Sequence, residues 1–327
     1  MSLDITQIPE IIENTLYPYV LTEYEGIQTQ YQNIANVLPY DPMKAYGEKG
    51  SAATGLGQPI EFEDNEQVSL DSEDTAKTWQ GRVRQSGRRV FISDRMAGQM
   101  SAVGLGEYVT ERSRGWGEKA AIYKDDIVAG LLQKGTLTAG NLEYFDDSYV
   151  GQQDPNPGFI YDGLPFFDTA HALSAASGTF ANHTAALALS RDNLQTVLTA
   201  FESTNAIDER GDRISNPATT LLVPPGLEWT ARQILGSSLT SDQNQINPIQ
   251  GRLNLVPWRA LSDAASASAW WVLGSNRSIR VRDSGAPAMF VERATDGRRG
   301  FYFGFTQYFE ATVTNWRGAY CANKAAS

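Results

Sequence analysis

The sequence predicts an α+β protein, and three stretches carry that expectation. Residues 105–131 hold apolar side chains at helical spacing, Asn216–Ser238 switches abruptly from strand to helix, and Gly300–Tyr320 is aromatic and alternating. A period of 3.6, a strand cut off by prolines and a period of two call for both kinds of element. The chain has 327 residues, 41% hydrophobic and 20% charged, an ordinary globular composition with material for roughly two domains.

Along residues 1–45, Ile8, Ile12, Leu16, Tyr19, Ile27, Tyr31, Ile34 and Leu38 recur near helical spacing, with Pro18 interrupting. Two short amphipathic helices, or a helix and an extended arm, are expected, ending at Pro39 and Pro42. With so little apolar surface of its own, this arm is expected to pack on something else. Residues 46–95 open with small residues and then segregate charge. From Glu61 to Asp74 there are seven carboxylates and no base; from Lys77 to Arg95 there are six cations and one acid. Alternation in Pro-Ile-Glu-Phe-Glu and in Trp-Gln-Gly-Arg-Val-Arg suggests the two strands of a long β-hairpin. Its charges would pair across the strands or dock on a neighbouring subunit. The interface candidates are Glu61, Glu63, Arg82, Arg84, Arg88 and Arg89.

Leu105, Val109, Trp116, Ala120, Tyr123, Ile127 and Leu131 predict a long helix, about 40 Å if continuous. Gly115 and Gly117 weaken its middle, and Gly135 ends it. Residues 136–188 are rich in turn chemistry. Ser190 is an N-cap for a helix with Leu194, Val197, Leu198 and Phe201 on one face. In the next element, Thr219–Val223 suits a buried strand, and Pro224 and Pro225 forbid its continuation. Leu227, Ala231, Ile234 and Leu235 then recur as a helix that stops at Gly236. Leu253–Pro257, Ala269–Leu273 and Ser278–Arg282 read as further strands, so residues 189–290 are expected to form one α/β unit. The Gly300–Tyr320 strand is expected to pack on the long helix.

The chemistry of small-molecule catalysis is poorly represented. His171 and His183, the two histidines, lie twelve residues apart without a metal-binding pattern, and the single cysteine, Cys321, allows no intrachain disulfide. Gly104-Leu-Gly106 lacks the third glycine and the βαβ setting of a dinucleotide site. No nucleotide-binding lysine loop or serine elbow occurs, so no cofactor, metal or catalytic residue is assigned. The formal charge of −11 has the wrong sign for gripping phosphate backbones. No apolar run of membrane-spanning length and no export signal is found, which suggests a soluble, non-exported protein.

An arm, a charged hairpin, a long helix, an α/β module and a returning strand follow in the order seen in tailed-phage major capsid proteins. The stretches Asp162-Gly-Leu-Pro-Phe-Phe-Asp-Thr-Ala-His171, Leu221-Leu-Val-Pro-Pro-Gly-Leu-Glu-Trp229, Gly251-Arg-Leu-Asn-Leu-Val and Trp270-Trp-Val-Leu, with Asn247 and the helix after Ser190, resemble the Mu-type major head subunits. That group is similar in fold to the Hong Kong 97 (HK97) capsid proteins. The resemblance implies an HK97-like α+β fold. It would have an N-terminal arm at 1–45, an extended loop at 46–92, a peripheral domain at 93–188 plus 291–327, and an axial domain at 189–290.

The implied function is a non-enzymatic shell subunit. It would form hexamers and pentamers of an icosahedral head that encloses double-stranded DNA without sequence-specific binding, assembled in the host cytoplasm and located in the virion. The implied partners are further copies of the chain, a portal, decoration proteins and a separate scaffolding protein, the last because arm-like sequence follows Met1 almost at once. Lys49 and Lys77 fall in the loop where some relatives cross-link, but no cross-link is expected here. Two rivals are an encapsulin-like nanocompartment shell and a hydrolase built on the α/β part with a titrating His171 or His183.

Overall fold

In a computed structural model, residues 5–42, 49–52, 77–81, 83–136, 162, 164–173, 176–236 and 247–325 are described. Helix α1 (Ile8–Glu25) sets Ile8, Ile12, Leu16 and Val20 on one stripe, all fully buried. Pro18 does not end it, contrary to the interrupted arm expected. The proline is exposed opposite the stripe, and so is Asn14, whose carbonyl loses its helical partner, so the four buried side chains outweigh the break. There follow α2 (Tyr31–Ile34), β1 (Asn36–Pro39), β2 (Lys49–Ala52), β3 (Lys77–Gln80), β4 (Val83–Ser93) and α3 (Asp94–Gln99).

The expected long helix is two: α4 (Ala102–Ser113) and α5 (Trp116–Gln133). Between them Gly115 adopts φ 76°, a conformation that favours glycine. The Glu23 carboxylate of α1 accepts from Gly115 N at 3.0 Å and Gly117 N at 3.3 Å, so an acid from another helix caps α5. The short strands β5 (His171–Ala172), β6 (Thr179–Phe180) and β7 (His183–Thr184) lead to α6 (Arg191–Thr199). Ser190 caps α6, its Oγ accepting from Asn193 N at 3.2 Å.

Strand β8 (Ala218–Val223) ends at the two prolines and, after a single 3-10 turn, gives way to α7 (Glu228–Gly236). The remaining strands are β9 (Asn254–Pro257), β10 (Trp270–Gly274), β11 (Ile279–Asp283), β12 (Ala288–Arg293), β13 (Gly300–Val313) and β14 (Ala319–Ala322).

Two five-stranded sheets organise these strands. The first runs β1-β11-β13-β12, with β4 on the other side of β13; the second runs β7-β14-β10-β8-β9. Two expectations are corrected here. Strand β11 does not belong with β8–β10: it pairs with β1 and β13 in the first sheet. The aromatic run also divides, because a turn at residues 314–318 closes through the Asn315 side chain and returns Tyr320 to the second sheet.

The first sheet packs one face on the helices, where Phe301, Phe303 and Phe305 meet the stripe of α1 together with Leu105, Val109, Trp116 and Ala120. The arm therefore packs on its own chain. A second core lies between α6, α7 and the second sheet. A third joins the two sheets through the buried end of α5.

Two adjacent side chains of α5 fasten the arm to this junction. The fully buried Lys124 ammonium donates to Asp283 Oδ1 at 2.5 Å, Gly285 O at 2.6 Å and Tyr24 Oη at 2.9 Å, satisfying its three protons. Tyr31 Oη donates to Asp283 Oδ2 at 2.5 Å. Asp125 accepts from Gln30 N, Tyr31 N and Trp258 Nε1, while burial pushes its carboxyl above the ordinary range.

Candidate assembly surface

The charged stretch of residues 46–95 was expected to pair its acidic and basic halves. In the structure β3 pairs antiparallel with β2, with Lys49 opposite Gln80, Gly50 opposite Trp79 and Ala52 opposite Lys77 in the register. The basic half then continues into the body as β4, which pairs with β13 over its whole length, from Val83 opposite Glu310 to Ser93 opposite Gly300. The described basic half pairs with β2 and β13, and the acidic half of the expected hairpin lies outside the described residues. Apolar Val83, Val90 and Ile92 give β4 a better partner in an aromatic sheet than in a solvated acidic strand.

Of the six candidate residues, Glu61, Glu63 and Arg82 lie outside the described residues. Arg84, Arg88 and Arg89 all stand on β4, the first half-buried and the others exposed. Arg89 spans β13 to reach Glu292 at 3.5 Å and lies 4.4 Å over the Tyr302 ring. Being exposed, this ion pair contributes little stability. Arg88 has no carboxylate partner among the described residues.

More arginines gather at the far end of the same sheet, in and after β12, where sequence reading assigned no strand. Arg293 bridges Asp94 at 3.1 Å and Arg298 lies 3.7 Å from Asp296, with Arg299 and Arg95 exposed beside them. The available signal was the turn-forming Thr-Asp-Gly before Arg298 and Arg299, followed by a run pairing back on itself.

The residues proposed for a hydrolase are committed elsewhere. His171 is fully buried and stacks on Trp316 at 5.0 Å, with Nδ1 2.6 Å from Asp162 Oδ2 and Nε2 3.1 Å from Asn182 Oδ1. The Asn182 amide is oriented by its donation to the carbonyls of Phe166 and Trp316 and by acceptance from Asp168 N. Both ring nitrogens thus face oxygen acceptors, and the cluster ties Asp162, Phe166, Asp168 and Asn182 to the turn before β14.

His183 donates through Nε2 to Lys324 O at 2.7 Å, and burial holds it below the ordinary histidine value against the pull of that bond. Cys321 is fully buried and burial pushes its thiol up, so it is a poor nucleophile. Among the described residues no cluster suits a metal ion, and no helix is long and apolar enough to cross a membrane.

The sequence pattern of the family described as "Phage capsid protein" matches residues 80–322, a span that includes both five-stranded sheets apart from β1. No curated protein matches the chain by sequence. The fold is similar to that of the capsid of Ralstonia phage GP4, at 14% identity and TM-score 0.54, covering 92% of each chain. It is also similar to the capsid structure of cyanophage P-SCSP1u, at 13% identity and TM-score 0.50, covering 92% of this chain and 89% of that one. At such identities the likeness establishes the fold, which is HK97-like and mixed α+β, and the family match covers most of the chain. The chain belongs to the phage capsid protein family and is a structural, non-enzymatic protein of the phage shell.

Proposed function

We propose that this chain is the major head subunit of a tailed phage, of the Mu-type group. Copies join as hexamers and pentamers into an icosahedral shell around double-stranded DNA. The observation that carries the reading is the family match to residues 80–322, which spans β4 to β14 and so the two sheets that make the body of the fold, apart from β1. On this reading residues 1–45 are the arm, 46–92 the extended loop, 93–188 with 291–327 the peripheral domain, and 189–290 the axial domain. The placement of β11 and β14 means that the last two units exchange strands.

The net charge of −11 suits a wall that does not adhere to its genome. The further partners are a separate scaffolding protein, the portal and decoration proteins, with assembly in the host cytoplasm. Negative-stain microscopy of the purified chain, alone and co-expressed with the products of neighbouring reading frames, is expected to show capsomer rings or closed particles. A monomer that assembles with none of them overturns the proposal. Particles filled with protein cargo would instead identify a nanocompartment shell.

The exposed arginines of β4 are part of the same reading. Reversing Arg88 and Arg89 to glutamate is expected to lower particle yield while leaving the far-ultraviolet spectrum and melting of the soluble chain unchanged. Normal yield removes these two residues from the interface.

A further inference from the structure

The buried cluster around His171 plays no part in the shell reading, and its hydrogen bonds dictate where hydrogens must stand. Asn182 cannot be turned over: its Nδ2 donates to Phe166 O at 2.8 Å and Trp316 O at 3.0 Å, and its Oδ1 accepts from Asp168 N at 2.9 Å. The atom facing His171 Nε2 at 3.1 Å is therefore an acceptor, and Nε2 carries a hydrogen. Nδ1 lies 2.6 Å from Asp162 Oδ2, so a second hydrogen stands between those two atoms. Neither side chain reaches solvent, Asp162 being 1% exposed and His171 0%.

Two observations put that second hydrogen on the ring. Asp162 Oδ1 accepts from Leu164 N at 3.2 Å, a bond that favours the ionised carboxylate. The imidazole also lies flat on Trp316, with ring centroids 5.0 Å apart and planes 2° from parallel, and an indole face favours a cation. Further charged groups reach the pair only through these neighbours. Arg317 lies 4.6 Å over the same indole and is paired with Glu209, while Asp168 bonds Asn182 through its N–H and accepts from Ala170 N through Oδ1. Across the β5–β6 pair the residue opposite His171 is the uncharged Phe180, and His183, next to Asn182 in the chain, donates to Lys324 O.

We propose that the folded chain holds His171 as an imidazolium and uses it as a proton-dependent clasp. The clasp ties Asp162 and Asn182 to the turn at residues 314–318, through which the chain passes from the first sheet to the second. Without the proton, the Nδ1 lone pair would face a buried carboxylate at 2.6 Å, and the contact must open. The unfolded chain releases this proton above about pH 6.5, the ordinary histidine value. The folded chain then binds one proton more, so the clasp's contribution falls as pH rises. Burial gives His183 the opposite sign.

The test uses the full-length, unassembled chain with 15N-labelled histidine. At about pH 7.5 one histidine is expected to show two protonated ring nitrogens and the other, His183, only one. His183→Gln removes the latter set and completes the assignment. Asp162→Asn offers Nδ1 a donor in place of a carboxylate, so in that variant Nδ1 is expected to resonate as an unprotonated nitrogen. In urea unfolding from about pH 7.5 to about pH 8.5, the wild-type unfolding constant is expected to rise about tenfold relative to Asp162→Asn, the slope of one proton. An unprotonated Nδ1 in the wild type, or parallel pH curves for the two proteins, overturns the clasp. If Asp162→Asn does not fold, the wild-type nitrogen shifts decide the matter by themselves.

Discussion

At the scale of single residues, the strongest constraint is the ammonium of Lys124. It is fully buried, and its three protons meet a carboxylate, a carbonyl and a phenol contributed by two other parts of the chain. Removing the lysine leaves Asp283 buried without its counter-charge, although Tyr31 and Gly285 N still donate to it. Lys124→Met is therefore expected to cost about 3–5 kcal/mol in urea unfolding. Adding Asp283→Asn should return part of the loss, with a coupling of at least about 1 kcal/mol in the double-mutant cycle. Strict additivity would mean that the two groups do not act as a pair.

His183 gives a prediction of a different kind. Burial lowers its folded value, so between that value and the ordinary 6.5 the unfolded chain binds more protons than the folded one. Its contribution is present above about pH 6.5 and is lost as pH falls through the folded value. His183→Gln keeps a donor for Lys324 O without titrating. Wild type is expected to lose stability relative to this variant on going from about pH 7 to about pH 5. Parallel curves would exclude His183 as the source.

At the scale of elements, two glycines of the helical layer are expected to behave oppositely. A Cβ at Gly117 would fall inside contact distance of the Val20 carbonyl oxygen and the Tyr24 nitrogen, because α5 starts against the backbone of α1. At Gly104 the nearest atom to an added Cβ is Ser101 Oγ, at 3.4 Å. Alanine gains up to about 1 kcal/mol over glycine within a helix, whereas overpacking costs about 1–3 kcal/mol. Gly104→Ala should therefore raise the melting temperature and Gly117→Ala should lower it. A rise in both would mean that α1 moves aside at no cost.

The same layer shows what the sequence can and cannot reveal. The turn after β8 was legible because Pro224 and Pro225 act locally, and the α6 cap because Ser190 bonds three residues on. The apolar period running through residues 105–131 was genuine, yet the helix breaks within it. What stabilises the break is Glu23, more than ninety residues earlier in the chain, and local periodicity carries no trace of it. The charge pattern of residues 61–95 likewise signalled a need for partners but not their register, since β4 runs along the aromatic strand β13, more than two hundred residues away in sequence. In the candidate surface, Arg88 and Arg89 were legible as a basic run. Arg293 joins that sheet only through the pairing of β12 with β13, and Arg298 follows in the connection between them.

At the scale of the whole molecule, length and composition allow two domains, and the two sheets at first suggest them. Their cores are not separate. Leu222, Val256, Trp271 and Leu273 of the second sheet lie in one buried cluster with Ile279, Val281, Phe309 and Val313 of the first, and Ile127, Val128, Leu131 and Leu132 of α5 belong to it as well. The chain also crosses between the sheets twice near its end, from β10 to β11 and from β13 to β14. Melting either sheet alone would expose these side chains and strip a strand's connection from the other, so intermediates with one sheet folded are costly. Calorimetry of the unassembled chain is expected to show a single main transition, and two well-separated ones would mean that the shared cluster does not couple the sheets. The same reasoning makes the C-terminal strand indispensable. Strand β14 lies between β7 and β10, with the wholly buried Trp270 and Trp271 of β10 opposite its Ala322 and Cys321. A chain ending at Gly318 is expected to lose the cooperative transition altogether and to bind a hydrophobic dye. If it instead melts like the full chain, the second sheet is held by α6 and α7 alone, and β14 serves some purpose other than closing the core.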